Sequence, residues 1–329
     1  MAEPLKDEQG TQTHPAPKPK KSSFSIIRRQ GMVVIFIVIC VVAYLLTPDF
    51  LTLGNIRNVL RQVSIIGLLA AGETFVILIG GIDLSIGALV SLTGCIAAGF
   101  QGHGVFIGVL AGLLAGAAIG LVNGLAVAKG RIQPFVVTLG TMSIAQGLAL
   151  LYTGGYPIFD LSDSFNHIGS GSIGLVPIPV AIFFLVYVIA YLVLRFSKFG
   201  RYTFALGGNE NATRLSGVNV DRQKILVYTV CGLLAGLGGV VLAGRLGIGM
   251  PTMGTGYELQ AIAAVVIGGT SLAGGRGGIV GTILGTLTLG VIYNVLNLMN
   301  VTAFYQYIVI GAIIVIAALI NELGKRYGG

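Results

Sequence analysis

The stretch GETFVILIGGIDLSIG, residues 72–87, sets the interpretation of the whole chain. It places two carboxylates, Glu73 and Asp83, and the pair Gly80-Gly81 inside an otherwise apolar region. A helix break frees backbone polar groups, which hydrocarbon tolerates only where protein buries them or where they line a wet cavity. Ionisable side chains at that depth are costly and typical of a transport pathway. The stretch therefore predicts a broken membrane helix beside a pathway.

Composition agrees with a membrane protein. The 329 residues are 54% hydrophobic and only 10% charged, with a mean hydropathy of +0.90, whereas soluble domains carry about 25% charged residues. The net charge of +8 comes from basic residues spread over a tail and short loops. In membrane proteins such residues usually set orientation, so we expect no nucleic-acid partner. The prediction is an all-α polytopic protein in contact with the lipid bilayer.

Ten apolar segments are predicted as transmembrane helices. Residues 1–30 precede them as a disordered basic tail. Of the 20 lysines and arginines, 17 fall on one side of this topology, which predicts that both termini are cytoplasmic. If segment 258–269 were re-entrant, the C-terminal end would move outside. The predicted spans are 31–47, 63–79, 86–100, 105–128, 134–152, 178–194, 225–243, 258–269, 277–297 and 304–320.

Three polar segments between the spans are distinctive. Residues 55–62 form either an interfacial helix or the start of the second span. Residues 153–177 make a long outer, periplasmic loop, and residues 195–224 make the longest cytoplasmic loop.

A glycine ladder gives the strongest helix-packing signal. Its five glycines recur every four residues, so they lie along one helix face. Small residues at such positions let membrane helices approach closely. The predicted packing glycines are Gly108, Gly112, Gly116, Gly120 and Gly124.

Signatures of catalysis are missing from the sequence. There is no Gly-x-x-x-x-Gly-Lys-Ser/Thr phosphate loop, and the three histidines form no metal or nucleophile pattern. The three cysteines lie singly in apolar runs and have no pair spacing. The sequence therefore predicts no enzyme activity, no metal and no cofactor in this chain.

The cytoplasmic loop contains a predicted short helix. Asn209 is a good N-cap, Glu210 suits the first turn, and Gly217 can end the helix. Such a polar helix either inserts into a groove on a soluble partner or lies on the lipid headgroups as an amphipathic connector. Physical reasoning alone leaves both alternatives open.

Three stretches together resemble a known family. They are GGIDLSIG (80–87), GGNENATRLSGV (207–218) and AIAAVVIGGTSLAGGRG (261–277). They are similar to the permease subunits of bacterial ABC importers for monosaccharides, with the ribose type the most similar. The resemblance implies a permease domain over residues 31–326 in the inner membrane. It also implies a separate cytoplasmic ABC ATPase, a periplasmic sugar-binding protein and a second permease subunit, either another copy or a paralogue.

The same resemblance implies that the short cytoplasmic helix couples the permease to the ATPase. Two departures from the coupling motif are present, because Asn211 replaces an alanine and Gly217 comes one place late. The implied coupling residues are Gly208, Asn209, Glu210, Ala212, Arg214, Leu215 and Gly217.

Polar residues in the spans are candidates for the translocation path. Asp83 either contacts sugar hydroxyls or, with Ser85 assisting, caps a helix beginning at Leu84. Glu73 pairs with Arg61 or another helix, or lines the pore. Ten helical residues would separate the two carboxylates by about 15 Å, so we expect them not to share a site. Asparagines in the spans bridge helices or face the path. The candidate path residues are Glu73, Asp83, Ser85, Asn123 and Asn294.

Three rival functions remain open at this point. An ion-coupled secondary transporter would use Glu73 and Asp83 as an ion site. An ABC permease for branched-chain amino acids is a related alternative, and a membrane scaffold without transport is the third.

Overall fold

The structure is a computed structural model that describes residues 23–327, without the side chains of residues 23–30, 310, 317, 318 and 320–327. Helices dominate it, with one small hairpin of strands β1 (Ser172–Ile173) and β2 (Val176–Pro177) and two 3-10 turns at Pro48–Leu51 and Gln101–His103. The helices are α1 (Ser23–Leu46), α2 (Leu53–Leu78), α3 (Ile86–Phe100), α4 (Val105–Ala128), α5 (Pro134–Thr153), α6 (Asp163–Ser170), α7 (Ile178–Phe196), α8 (Lys198–Gly208), α9 (Glu210–Leu215), α10 (Val220–Leu246), α11 (Tyr257–Ile267), α12 (Ile279–Leu298) and α13 (Ala303–Tyr327).

Helix ends follow local sequence signals. The Thr52 side chain accepts a hydrogen bond from the backbone N–H of Asn55 at the start of α2. Pro134 occupies the first turn of α5, where a missing N–H costs nothing. Gly154 ends the same helix in the left-handed conformation, with φ of 62°. Local chemistry therefore fixes many of the boundaries between spans and loops.

Seven helices among the described residues are long and apolar enough to cross a membrane: α2, α3 with its 3-10 turn, α4, α5, α7, α10 and α12. The other three predicted spans coincide with the shorter apolar helices Gly31–Leu46, Tyr257–Ile267 and Ala303–Ile316. The predicted class, an all-α polytopic membrane protein, is confirmed. The cytoplasmic position of both termini stays a prediction.

Several boundaries differ from the sequence-based expectation. Helix α1 begins at Ser23, so residues 23–30 of the predicted disordered tail are helical, while residues 1–22 lie outside the described residues. Residues 55–62 are the first turns of α2, since this helix is continuous from Leu53. The predicted cytoplasmic loop 195–224 contains α8 as well as the predicted short helix, and the seventh span starts earlier, at Val220.

The eighth predicted span is a half-length helix. Helix α11 has 11 residues, about 16 Å of rise, against a hydrocarbon thickness of about 30 Å. The helix therefore cannot cross the bilayer by itself.

An irregular segment, residues 247–256, precedes α11 and lies against α3. Gly249 packs beside Ala98 near the end of α3, and Gly254 packs beside Gly87 near its start. The segment thus runs antiparallel to α3 along most of its length. Irregular backbone at membrane depth is tolerated when it is buried in protein, which explains why this segment packs so closely on α3.

Helix α10 lies at the centre of the fold and packs against α2, α3 and α4. The glycine ladder of α4 makes this packing close. A Cβ added at Gly116 would overlap the carbonyl oxygen of Gly232 in α10, and one added at Gly120 would overlap the carbonyl oxygen of Tyr228. Near the start of α4, Gly108 meets Ala97 of α3. All five ladder glycines are buried at these backbone contacts.

Loop 153–177, the predicted outer loop, is structured. Ser162 caps α6 by accepting a hydrogen bond from the N–H of Phe165, and the β1–β2 hairpin follows. Arg61 of α2 donates to the carbonyl oxygen of Ser170 at 3.0 Å. Its guanidinium therefore ties the outer loop to the second span, and it does not pair with Glu73.

Candidate functional site

The chain reverses direction at the end of α2. Gly81 N–H donates to the carbonyl oxygen of Val76 at 2.9 Å, and Gly80 N–H donates to Ile77 at 2.9 Å. Gly80 has φ of 79°, a left-handed conformation that favours glycine. These bonds form a glycine C-cap that stops α2 and turns the chain back along the helix.

This reversal brings the two carboxylates together. Asp83 N–H donates to Oε1 of Glu73 at 3.1 Å, and both residues are fully buried. The expected separation of about 15 Å was wrong because it assumed that the helix continues to Asp83. The helix ends at Leu78 instead, so the two residues share one site.

Asp83 closes the turn that leads into α3. One of its oxygens, Oδ1, accepts hydrogen bonds from the N–H of Ser85 at 2.9 Å and from the Ser85 hydroxyl. Helix α3 begins at Ile86 with Ser85 as its N-cap residue, so the predicted cap of a helix beginning at Leu84 was wrong by two residues. Asp83 instead forms a local side-chain-to-backbone turn just before the helix.

Side chains from α4 and α5 complete the cluster. Asn123 of α4 donates from Nδ2 to the Ser85 hydroxyl at 3.0 Å, and the Thr141 hydroxyl of α5 donates to Oδ1 of Asn123 at 2.6 Å. Thr138 donates to the carbonyl oxygen of Ile82 at 3.2 Å. Four candidate path residues therefore lie in one cluster, which we call the break cluster: Glu73, Asp83, Ser85 and Asn123.

Asn294 lies elsewhere. Its amide exchanges two hydrogen bonds with the amide of Asn55, at 2.7 and 2.8 Å. This pair joins α12 to the first turns of α2, so the structure does not bring Asn294 to the break cluster.

Two residues beside the cluster escaped the sequence analysis. Cys231 of α10 lies against Gly72, in the turn that carries Glu73, and is close to Asp83. The Tyr228 hydroxyl lies beside Gly81. Both residues lie in a hydrophobic helix, where they look like ordinary core residues. They are three positions apart and so share one helix face, which is the only sequence signal that places them together.

Three polar atoms in this region have no hydrogen-bond partner among the described residues: Oε2 of Glu73, Oδ2 of Asp83 and the Tyr228 hydroxyl. No lysine or arginine of the described chain pairs with either carboxylate. Buried polar groups normally have partners, so these atoms are available to bind water or hydroxyl groups. No group of three His, Cys, Asp or Glu residues among residues 23–327 could hold a metal ion.

A cavity of about 610 Å³ lies between the helix break and the loop that contains α9. Gly80, Gly81 and Tyr228 line it beside the helix break, and Arg131 and the α9 residue Glu210 also line it. The cavity therefore extends from helix α9 to the edge of the break cluster.

Helix α9 has the predicted caps. Oδ1 of Asn209 accepts from the N–H of Ala212 at 2.9 Å, and Gly217 follows the helix with φ of 80°. The expected short helix is therefore confirmed. Leu215 is 89% exposed, and Gly208 faces open space.

Glu210 anchors α9 to the start of α10. Its carboxylate accepts from Lys224 at 2.8 Å and from Arg214 at 3.1 Å. Partial burial raises the pKa of Glu210, but the hydrogen bonds and charges of Lys224 and Arg214 outweigh burial and hold that pKa below its ordinary value. Asp221 also pairs with Arg214, at 3.6 Å. These ion pairs turn Glu210 inward and leave Leu215 pointing away from the body.

Comparison with known proteins assigns the family. A family described as branched-chain amino acid transport system / permease component matches residues 55–318. The chain belongs to this permease family. The permease is 47% identical to the ribose import permease protein of Escherichia coli K12 over 303 residues, which are 90% of this chain and 94% of that protein. No solved structure matches the permease.

Two further relatives of the permease agree. The ribose import permease protein of Bacillus subtilis 168 is 46% identical over 301 residues, covering 90% of this chain and 94% of the relative. The L-arabinose ABC transporter permease protein of Azospirillum brasilense is 36% identical over 305 residues, covering 92% of this chain and 90% of the relative.

Proposed function

We propose that this chain is the permease subunit of an ATP-driven importer that carries a ribose-like monosaccharide across the bacterial inner membrane. The identity of 47% to a ribose import permease over nearly the whole chain carries the proposal. The family description names branched-chain amino acids, but the relatives cited above are named for ribose and arabinose. We therefore favour a sugar permease over both an amino-acid permease and an ion-coupled transporter.

The proposed partners are a cytoplasmic ABC ATPase, a periplasmic sugar-binding protein and a second permease subunit. ATP hydrolysis would occur on the ATPase, because this chain has no phosphate-binding loop. The exposed Leu215 at the end of α9 suits an apolar pocket on the ATPase. Asn209 and the ion pairs of Glu210 would hold the helix in place for docking.

The break cluster is the proposed centre of the translocation path. Its support is the combination of full burial, hydrogen-bonding side chains and polar atoms without a protein partner. A sugar presents neutral hydroxyl groups, which carboxylate, amide and hydroxyl side chains can bind. Such contacts suit brief passage, since conduction requires release as well as binding. Asn294, paired with Asn55, is proposed as a helix-bridging residue instead.

The substrate is tested by uptake into proteoliposomes that contain the permease and its ATPase. Radiolabelled ribose, arabinose and leucine are supplied in turn, each with its binding protein. We expect ATP-dependent uptake of a pentose and no uptake of leucine. Leucine uptake without sugar uptake would replace the proposal with the amino-acid alternative.

A further inference from the structure

Next to the break cluster, the backbones of three separate chain segments are in direct contact. They are the end of α8 at Gly207, the break at Gly80 and the loop after α11 at residues 274–275. Gly275 N–H donates to the carbonyl oxygen of Leu78 at 2.9 Å. A Cβ added at Gly207 would overlap that same carbonyl oxygen. We call this contact the glycine junction.

Only glycine fits at the junction. The atoms that a side chain on Gly207 would meet belong to backbone, which cannot move aside as a flexible side chain can. Gly274 and Gly275 have φ of 83° and 69°, and a Cβ at Gly274 would stand 2.9 Å from the backbone nitrogen of Gly80. The three segments therefore have no freedom to shift independently, because close-packed backbone transmits displacement.

The junction lies between two functional elements. Gly207 is two residues before Asn209, the cap of α9, and Gly80 is three residues before Asp83 in the break cluster. A displacement of α9 that moves Gly207 must also move the Leu78 carbonyl and the turn that follows it.

Hydrogen bonds tie α8 to α10, to which the ion pair of Glu210 with Lys224 also ties α9. Gln223 of α10 donates to the carbonyl oxygen of Phe199 at 2.9 Å and to the Thr203 hydroxyl at 2.8 Å, both in α8. The Phe199 ring also packs on Phe75 of α2, with ring centroids 5.9 Å apart. Phe75 is two residues from Glu73, so this second contact reaches the same turn of α2.

We infer that the glycine junction passes movement of the cytoplasmic helix α9 to the break cluster, with Gly207 as the positioning residue. The inference rests on the proposed function, because it assumes that an ATPase moves α9. Packed contacts of this kind switch between discrete arrangements and do not deform continuously. The junction would thereby link each ATPase cycle to one rearrangement of the helix break.

The test is Gly207→Ala in the complete transporter, reconstituted with ATPase and binding protein. We expect ATP hydrolysis to stay within about twofold of the wild type. Sugar uptake should fall by about tenfold, in the range of measured coupling between sites, so more ATP is consumed per sugar. The matched control is Gly147→Ala in α5, where an added Cβ meets nothing within 4 Å. An unchanged ratio of ATP to sugar in Gly207→Ala would overturn the inference.

A measurement on the wild type covers the case in which the variant does not assemble. Amide hydrogen exchange of residues 79–85 should change between the ATP-bound and nucleotide-free transporter, and no change there would also overturn the inference. Absence of ATP-dependent uptake by the wild type would instead refute the proposed function, so the two failures are distinguishable.

Discussion

Asp83 and Glu73 each use one carboxylate oxygen to shape the chain and leave the other without a protein partner. Oδ1 of Asp83 holds the turn before α3, and Oε1 of Glu73 holds Asp83 in place. The two acids are therefore parts of one folded turn whose remaining oxygens face the interior. Because both oxygens that shape the turn act as acceptors, the turn itself requires no negative charge.

Replacement of Asp83 separates the role of its acceptor oxygen from that of its charge. Asp83→Asn keeps an oxygen that can accept from Ser85, so transport should stay within about twofold of the wild type. Asp83→Ala leaves the buried N–H of Ser85 without a partner, which should destabilise the protein by about 1–3 kcal/mol. Thermal unfolding in detergent and uptake measure the two effects. Equal loss of transport in both variants would show that the charge is required.

Replacement of Tyr228 should affect protein stability and sugar transport differently. An unpartnered buried hydroxyl costs free energy, so Tyr228→Phe should leave the melting temperature unchanged or higher. If sugar hydroxyls contact this group, uptake should fall by about 2- to 10-fold, the net worth of one hydrogen bond.

Tyr187→Phe is the matched control, because the Tyr187 hydroxyl donates to the carbonyl oxygen of Gly67 at 3.0 Å. It should lower stability and leave transport intact. Normal uptake by Tyr228→Phe would remove Tyr228 from the path.

The sequence identified the polar residues of the break cluster but not their arrangement. Glu73 and Asp83 are conspicuous because carboxylates are rare in apolar segments. Their contact depends on the chain reversal at Gly80, and a helical rise cannot describe a reversal. The sequence did not identify Cys231 and Tyr228 as site residues, because cysteine and tyrosine are common in hydrophobic helices.

At the scale of elements, the glycine ladder of α4 is the main device that holds the centre of the fold together. Gly120→Ala should push α4 away from the Tyr228 carbonyl of α10 and destabilise the protein by about 1–3 kcal/mol, the usual cost of overpacking. Gly140→Ala in α5 is the control, since nothing lies within 4 Å of its added Cβ. Thermal unfolding should show a lower melting temperature for Gly120→Ala alone. Equal melting temperatures would mean that α4 and α10 separate freely.

A further prediction concerns the role of helix α9 in binding the ATPase. Leu215→Ser should weaken binding of the ATPase by about 1.5–3 kcal/mol, the value of burying a leucine side chain, or about 10- to 150-fold in Kd. Leu175→Ser is the control, because Leu175 is 76% exposed in the outer hairpin region. Titration of the detergent-solubilised permease with the ATPase measures both. If Leu215→Ser bound as tightly as the control, docking through the end of α9 would be wrong.

The sequence predicted the regular helices, but it did not predict the irregular segment 247–256 that precedes α11. Spans three and four begin and end at the predicted residues, Ile86–Phe100 and Val105–Ala128, because polar turns and glycines bound them. The eighth span has an apolar pattern like the others, yet half of its path is non-helical and buried against α3. Its conformation depends on tertiary packing, which an apolar pattern does not encode.

For the molecule as a whole, composition and three short motifs were sufficient to predict the class and family. Few charges in so long a chain require a membrane, and the motifs lie where the structure has its break, its cytoplasmic helix and its half-length helix. The three sites meet around the glycine junction, where Gly207, Leu78 and Gly275 are in backbone contact.

Energy coupling tests the central claim most directly. Proteoliposomes containing the permease, its ATPase and the loaded binding protein are assayed for uptake of labelled ribose, with ATP inside and without any ion gradient. We predict uptake that requires ATP and all three proteins, and that an imposed proton or sodium gradient cannot replace. Ribose uptake by the permease alone, driven by such a gradient, would contradict the account.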